Sequence, residues 1–373
     1  MDTPIEYKQS DMTREAFNKK YPILKVIDKY DTLLEELFLI RNPRFKFSPD
    51  HTGEYEAFKK EHLLGASLEN TGRWFYFPWN GRLVHYLDDS LHQELRTARN
   101  KNIITEAEQK RWYDFTIAVA GLSVGSHAAL TIGMMGGARR IKLADPDEIS
   151  GSNLNRMRYD FTKVGENKAT TAARYLYQMN PYATIEIFKE GITDANMNAF
   201  LDGADLVVEE MDNLEMKISL RIEAKKRRLP VVMATDNGDN IIVDIERYDL
   251  NPDTKIFNGA AGDLTVEEFK KIAPPDMPKL ATKIAGADRI VPRMMESLLL
   301  VGKTLYSWPQ LGDAATLAGV AIAYTAKRIA LGEPLKTGKL EVNLDTIFDP
   351  DYEQNRAERE AVRKKFLTII GLE

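Results

Sequence analysis

The sequence contains no cysteine. That absence excludes disulfides, thiolate metal sites and any enzyme-bound thioester or other thiol nucleophile supplied by the chain. Histidine is scarce as well. His51, His62, His85, His92 and His127 include no HxxxH pair, so the spacing of a zinc site is missing. No apolar run is long enough to span a bilayer; the longest, Ala314 to Ala326, runs into Lys327 and Arg328 and reads as a buried helix. The opening "MDTPIEYKQSDMTREAF" lacks the basic head and apolar stretch of a signal peptide, which makes the cytoplasm the expected location. Charge of one sign is also in short supply. The net charge of −5 is mild, and local basic clusters such as Lys225 to Arg228 read as the solvated face of a helix, with nucleic acid not expected as a partner.

What is present is an ordinary globular composition, 43% hydrophobic and 29% charged, in 373 residues, enough for one large domain and something smaller. Residues 1–90 read as an α+β extension, in which "GRWFYFPWNGRLVHYL" forms two aromatic-rich strands around a Pro78–Gly81 turn. Packing of that aromatic cluster into its own core is favoured over a ligand platform. "TEAE" (Thr105 to Glu108) is a capping box. From Phe115 the pattern alternates. Strands are expected in "FTIAVAG", "RIKLAD", "TIEIFKE", "ADLVVEEMD", "PVVMATD" and "NIIVDIERY", with helices in "SHAALTIGMMGG", "NKATTAARYLYQMN" and "LEMKISLRIEAKKRR". Strands alternating with helices predict a doubly wound, mainly parallel Rossmann-like α/β sheet over residues 91–335. "LTVEEFKKI" reads as a capped helix, "PPDMPK" as a chain break, and "PRMMESLLLVGKTLY" as a further helix. Residues 336–373 read as a tail with a strand, "KLEVNLD", and an amphipathic helix.

The turn after the first of these strands, "VAGLSVGSHAA", places Gly121, Ser123, Gly125 and Ser126 where backbone amides approach a phosphate at a helix N-terminus. Asp145, ending the next strand, is at the distance expected of a ribose-binding acid. The full GxGxxG is absent, and the turn alone is also met by a tight structural bend. An NAD-binding oxidoreductase or dinucleotide-sensing protein would need no more than this. However, "SNLNR" and "VGENK" add Asn153, Arg156 and Lys168 to the same end of the sheet. Three such groups suit a triphosphate, drawing charge off an α-phosphate under attack and off departing pyrophosphate. Asp212, ending the fourth strand in "EEMDN", is either a Mg²⁺ ligand or, with Asn213, a helix N-cap; the cluster around it favours the metal. Asp236 and Asp239 in "ATDNGDN" follow the fifth strand and either line the cleft or, equally well explained, form a turn through their side chains; Asn237 and Gly238 fit the turn reading too.

"SNLNR", "VGENKATTAARYLYQMNP" and "ADLVVEEMDN" together resemble the ThiF/MoeB-like adenylyltransferases, the superfamily that includes the ubiquitin-activating enzymes. The resemblance covers roughly residues 96–238. It implies ATP and Mg²⁺ as cofactors, the glycine turn (Gly121, Ser123, Gly125) under the adenine and ribose, Asp145 on the ribose, Asn153, Arg156 and Lys168 on the phosphates, and Asp212 at the magnesium. It also implies a homodimer whose partner subunit supplies an arginine to the γ-phosphate, with Arg99 as the first choice and Arg96 as the reserve. The reaction implied is attack of a carboxylate on the ATP α-phosphate, giving an acyl-adenylate; the carboxylate would belong to a ubiquitin-like or sulfur-carrier protein, a peptide or a small acid. Two departures stand out: the turn is GxSxGS-like, and Met157 replaces the usual glutamine. With no cysteine, the thioester and persulfide steps of the family are closed to this chain. Branches without them adenylylate a peptide end or, as tRNA threonylcarbamoyladenosine dehydratases, cyclise a modified base.

Overall fold

The computed structural model describes residues 2–47, 50–262, 264–273 and 276–372. The chain separates into two compact units, one of Met1–Tyr113, Gly133–Gly136 and Ala173–Ala183, the other of Asp114–Ile132, Gly137–Ala172 and Thr184–Glu373. Pro274 and Pro275, expected to break the chain, lie outside the described residues.

In the first unit, β1 (Ile5–Tyr7), β2 (Lys25–Ile27), β3 (Arg73–Phe77) and β4 (Arg82–Tyr86) form a sheet in the order β1-β3-β4-β2. The aromatic-rich segment is the β3–β4 hairpin, and Gly81 supplies the positive φ (+63°) that lets the turn close. Trp74, Phe75, Tyr76 and Phe77 are all buried. Trp74 stacks on His85 at 4.1 Å, and Tyr76 meets Phe17 edge-on at 5.8 Å. Those rings fill the unit's own core. The expected capping box is formed: Thr105 N donates to Glu108 Oε2 at 2.8 Å, opening the helix Glu106–Asp114.

The second unit is built on a seven-stranded sheet, β11-β10-β9-β8-β5-β6-β7. Its members are β5 (Thr116–Ala120), β6 (Arg140–Ala144), β7 (Thr184–Phe188), β8 (Leu206–Glu209), β9 (Val231–Asn237), β10 (Asn240–Glu246) and β11 (Gly338–Val342). β5 to β9 are parallel; β10 and β11 are antiparallel additions at one edge. Every residue of β5 and β8 is buried, which explains why these strands read as unbroken apolar runs: parallel strands are covered on both faces. The order reverses between β5 and β8, so the crossovers leave a crevice at the carboxyl ends of those two strands, where open α/β sheets bind ligands.

The apolar run at Ala314 to Ala326 belongs to a longer helix, Gly312–Leu331. By length and composition it passes as a membrane span, but Ala314, Ala315, Ala318, Ile322, Ala323 and Ala326 are buried against β9 and β10, as in a core helix. "PRMMESLLLVGKTLY" is helical only over Pro292–Leu298. Left-handed Gly302 (φ +75°) follows within a turn, and the amides of Lys303, Thr304 and Leu305 fold back on Leu300 O.

Candidate functional site

Gly121 ends β5 at φ +87°, and a Cβ there would lie 2.2 Å from the carbonyl oxygen of Glu210, just beyond β8. Both the backbone conformation and the crossing chain therefore require glycine. This contact brings the ends of β5 and β8 together and starts the helix Val124–Met134 inside the crevice. Gly125 is packed for a related reason, with a Cβ meeting Val119 Cγ1 at 2.9 Å.

Asp145 closes the turn from the side of β6. One carboxylate oxygen accepts Leu122 N at 2.6 Å and the other accepts Asp147 N at 2.9 Å. Burial raises its pKa, opposed by Lys168 and by those two amides. The amide of Leu122 is thus already claimed, and each Asp145 oxygen keeps one lone pair for another donor. Lys168 is buried and sits 2.8 Å from Asp147 Oδ2 and 4.0 Å from Asp145 Oδ1, leaving part of its three-donor ammonium for a ligand.

Asn153 is buried in the 3₁₀ turn Gly151–Asn153, where its Oδ1 accepts Ser150 N at 3.0 Å in a capping box. That fixes the loop that delivers Arg156. The Arg156 guanidinium is half-buried; its Nε donates to Ser123 Oγ at 3.2 Å, and Nη1 to Ser152 O at 3.3 Å and Asn155 Oδ1 at 3.1 Å. It has no ion-pair partner within 4 Å among the described residues. Burial lowers its pKa, and the fields of Asp236 and Asp212 act the other way. A guanidinium without a counter-ion, bonded to the first residues of a helix, adds its charge to the positive end of the macrodipole. Such an arrangement is repulsive until an anion is placed in it.

Of the two residues that precede the helix Leu214–Lys226, Asn213 makes the cap: its Oδ1 accepts Met216 N at 3.1 Å. Asp212 is exposed and makes no side-chain hydrogen bond among the described residues. Magnesium commonly takes one or two carboxylates and completes its shell with water and other oxygens, so a single free acid whose field reaches Arg156 is compatible with that ion. No cluster of three or more metal-ligating acids and histidines exists among the described residues.

Arg99 belongs to the first unit, exposed on the 3₁₀ turn Ala98–Asn100. Arg96 is engaged within that same unit: Nη1 donates to Gln93 Oε1 at 3.0 Å and Nη2 to Gly133 O.

Two residues of the crevice, His127 and Gln310, were not singled out by sequence, and a third, Asp236, was left open. His127 Nε2 donates to Arg156 O, and its pKa is lowered by burial, so it anchors the arginine as a neutral ring. Gln310 donates to Asp236 Oδ2 at 3.2 Å while its own carbonyl accepts Asn155 Nδ2 at 2.7 Å. Asp236, left open as a turn residue, lies in β9 opposite Ile241 and is nine-tenths buried.

The crevice at the switch point of this doubly wound α/β sheet thus holds one half-buried arginine without an ion-pair partner among the described residues, beside a lysine paired to Asp147. Residues 96–245 of the chain match the ThiF family. It is 35% identical over 282 residues to the uncharacterized protein MT1398 of Mycobacterium tuberculosis, covering 76% of this chain but 39% of that relative. It is 29% identical over 175 residues to the tRNA threonylcarbamoyladenosine dehydratase of Bacillus subtilis, covering 44% of this chain and 67% of that enzyme. Among solved structures, the E. coli tRNA N6-threonylcarbamoyladenosine dehydratase superposes with a TM-score of 0.48 at 17% identity, covering 66% of this chain and 98% of that one.

Proposed function

We propose that the chain is an ATP- and magnesium-dependent adenylyltransferase that activates a carboxylate as an acyl-adenylate. The observation that carries this reading is Arg156, half-buried, without a counter-ion and bonded through Ser123 to the start of the helix Val124–Met134. The triphosphate lies along that helix N-terminus, with Arg156, Asn153 and the free part of Lys168 drawing charge from the phosphates. Asp212 would hold magnesium, which would supply positive charge beside the phosphates. Asp145 orients the ribose with its remaining lone pairs. The incoming carboxylate is itself an anion, and in a partly desolvated crevice its repulsion from the α-phosphate is severe unless these cations cancel it. Catalysis is positioning and charge stabilisation, with no enzyme-bound intermediate.

The carboxylate substrate is a ubiquitin-like or sulfur-carrier terminus, a peptide or a small acid. A dehydratase reading follows from the Bacillus subtilis relative, yet a chain of net charge −5 has little of the basic surface that tRNA binding normally brings. The working form is a cytoplasmic homodimer in which Arg99 reaches the γ-phosphate of the partner subunit's site. The test is thermal denaturation of the full chain. ATP with magnesium raises the melting temperature, NAD does not, and the Arg156→Ala and Asp212→Ala variants lose most of the shift while melting as cooperatively as wild type. Stabilisation by NAD alone would overturn the proposal in favour of a dinucleotide-binding protein.

A further inference from the structure

We infer that Asp236, tethered by Gln310 beside Arg156, is the seat of a primary amine that takes the acyl group from the adenylate. The inference rests on the nucleotide reading above and names the acceptor that reading leaves open.

Four observations converge on this carboxylate. It stands at the carboxyl end of β9, two strands from the glycine turn, and is nine-tenths buried. Gln310 Nε2 holds Oδ2 at 3.2 Å, but Oδ1 is buried with no hydrogen-bond partner. A buried acceptor left unmade is expensive, so such an atom is retained where a ligand completes it. The charged groups whose fields reach it are Arg156 and Asp313, and Asp313 in turn acts on Asp239. Arg156 is pledged to phosphate, so when ATP is bound the remaining field at Oδ1 is acidic. That field welcomes a cation and repels a second carboxylate. Finally, burial raises its pKa to about 6, which suits a group that exchanges a proton near neutral pH.

The chain has no thiol to receive the acyl group, so the adenylate must meet an acceptor brought from outside. An alkylammonium docks on Oδ1 and gives it one proton, which frees the nitrogen lone pair. Nitrogen attacks the acyl carbon, the C–N bond forms, and the C–O bond to phosphate breaks. AMP leaves with that electron pair and the second ammonium proton. Asp236 returns its proton to solvent, and the product is an amide. Proton transfer from an ammonium to a carboxyl is uphill in the ground state, but it becomes favourable as the C–N bond develops and acidifies the nitrogen.

The experiment uses the full chain saturated with ATP and magnesium, with cadaverine as the amine probe and 1,5-pentanediol and added potassium or magnesium salt at matched ionic strength as controls. Cadaverine should raise the melting temperature of the nucleotide-bound wild type by a few degrees, and the controls should not. Asp236→Asn should abolish that shift while binding ATP with magnesium at least as tightly as wild type, because a negative charge near the phosphates has gone. Gln310→Ala, which keeps the carboxylate but frees it, should weaken the shift and carries the test if Asp236→Asn does not fold. A shift of equal size in Asp236→Asn, no shift in wild type, or a shift reproduced by the salts overturns the inference and leaves the nucleotide reading intact. Failure of ATP with magnesium to stabilise even wild type sinks both.

Discussion

At Gly121 a single methyl group decides whether β5 and β8 can end together. Alanine there must adopt a left-handed backbone and overlap the Glu210 carbonyl, so Gly121→Ala should cost about 3 kcal/mol or more, read by urea denaturation. Gly125→Ala has an ordinary backbone conformation but meets a buried valine methyl, and should cost less, about 1–3 kcal/mol. Asp236 works in the opposite sense. Its carboxyl titrates at about 6 when folded against an ordinary 3.8, so between those values the folded state keeps a proton that the unfolded chain has lost. Stability therefore falls as pH rises through that window, and above it the penalty is complete, roughly 3 kcal/mol at 1.36 kcal/mol per unit. Asp236→Asn should be more stable than wild type at pH 8, with the gain gone below about pH 4; a pH-independent difference in denaturation midpoint would contradict this. Residues of this scale were unevenly legible. Arg156 and Asp145 could be read because each follows a strand within a spaced pattern. Asp236 could not, since "TDNGD" is also what a tight β-hairpin turn demands, and only burial separates the two uses.

Among the elements, the helix Leu214–Lys226 carries a cost that its sequence hides. Arg221 is fully buried, donates to Glu209 and, at 2.7 Å, to Glu246 Oε2, and lies 4.0 Å from the Phe257 ring centroid. Lys217 joins the same Glu209 at 3.1 Å, and Tyr248 OH donates to Glu246 Oε1. Arg221→Met strands two buried carboxylates and should destabilise by about 3–5 kcal/mol, whereas adding Glu209→Gln and Glu246→Gln should recover most of it in equilibrium unfolding. Nothing in the sequence marks these charges as buried partners. Their pairing depends on β8 and β10 meeting across the sheet, which no local pattern encodes. The six strands from Thr116 to Glu246 were legible for the complementary reason: five of them are apolar or alternating runs bounded by helices and turns, and the sixth follows a two-residue turn. The three-residue strands β1 and β2 are too short to show any period.

For the whole molecule, the proposed exchange of an arginine between subunits makes a direct claim. Arg99→Ala and Asp212→Ala proteins should each be inactive in carboxylate-dependent ATP–pyrophosphate exchange. Mixed after partial unfolding and refolding, they should regain activity, because a heterodimer rebuilds one intact site; no recovery would place the arginine elsewhere. Arg99 is proposed ahead of Arg96 for this exchange; Arg96 donates to the Gly133 carbonyl and to Gln93.

β11 has a practical consequence for handling this protein. It is drawn from residues beyond 335, yet Lys339 on it sits 2.8 Å from the fully buried Asp244, and its backbone closes the open side of β10. A chain cut at residue 335 would strand a carboxylate in the interior and leave a seven-residue row of bare amides and carbonyls, an invitation for copies to zip together. Trimming the C-terminal segment to ease crystallisation or expression should therefore yield insoluble material, and keeping residues 336–373 is the safer choice.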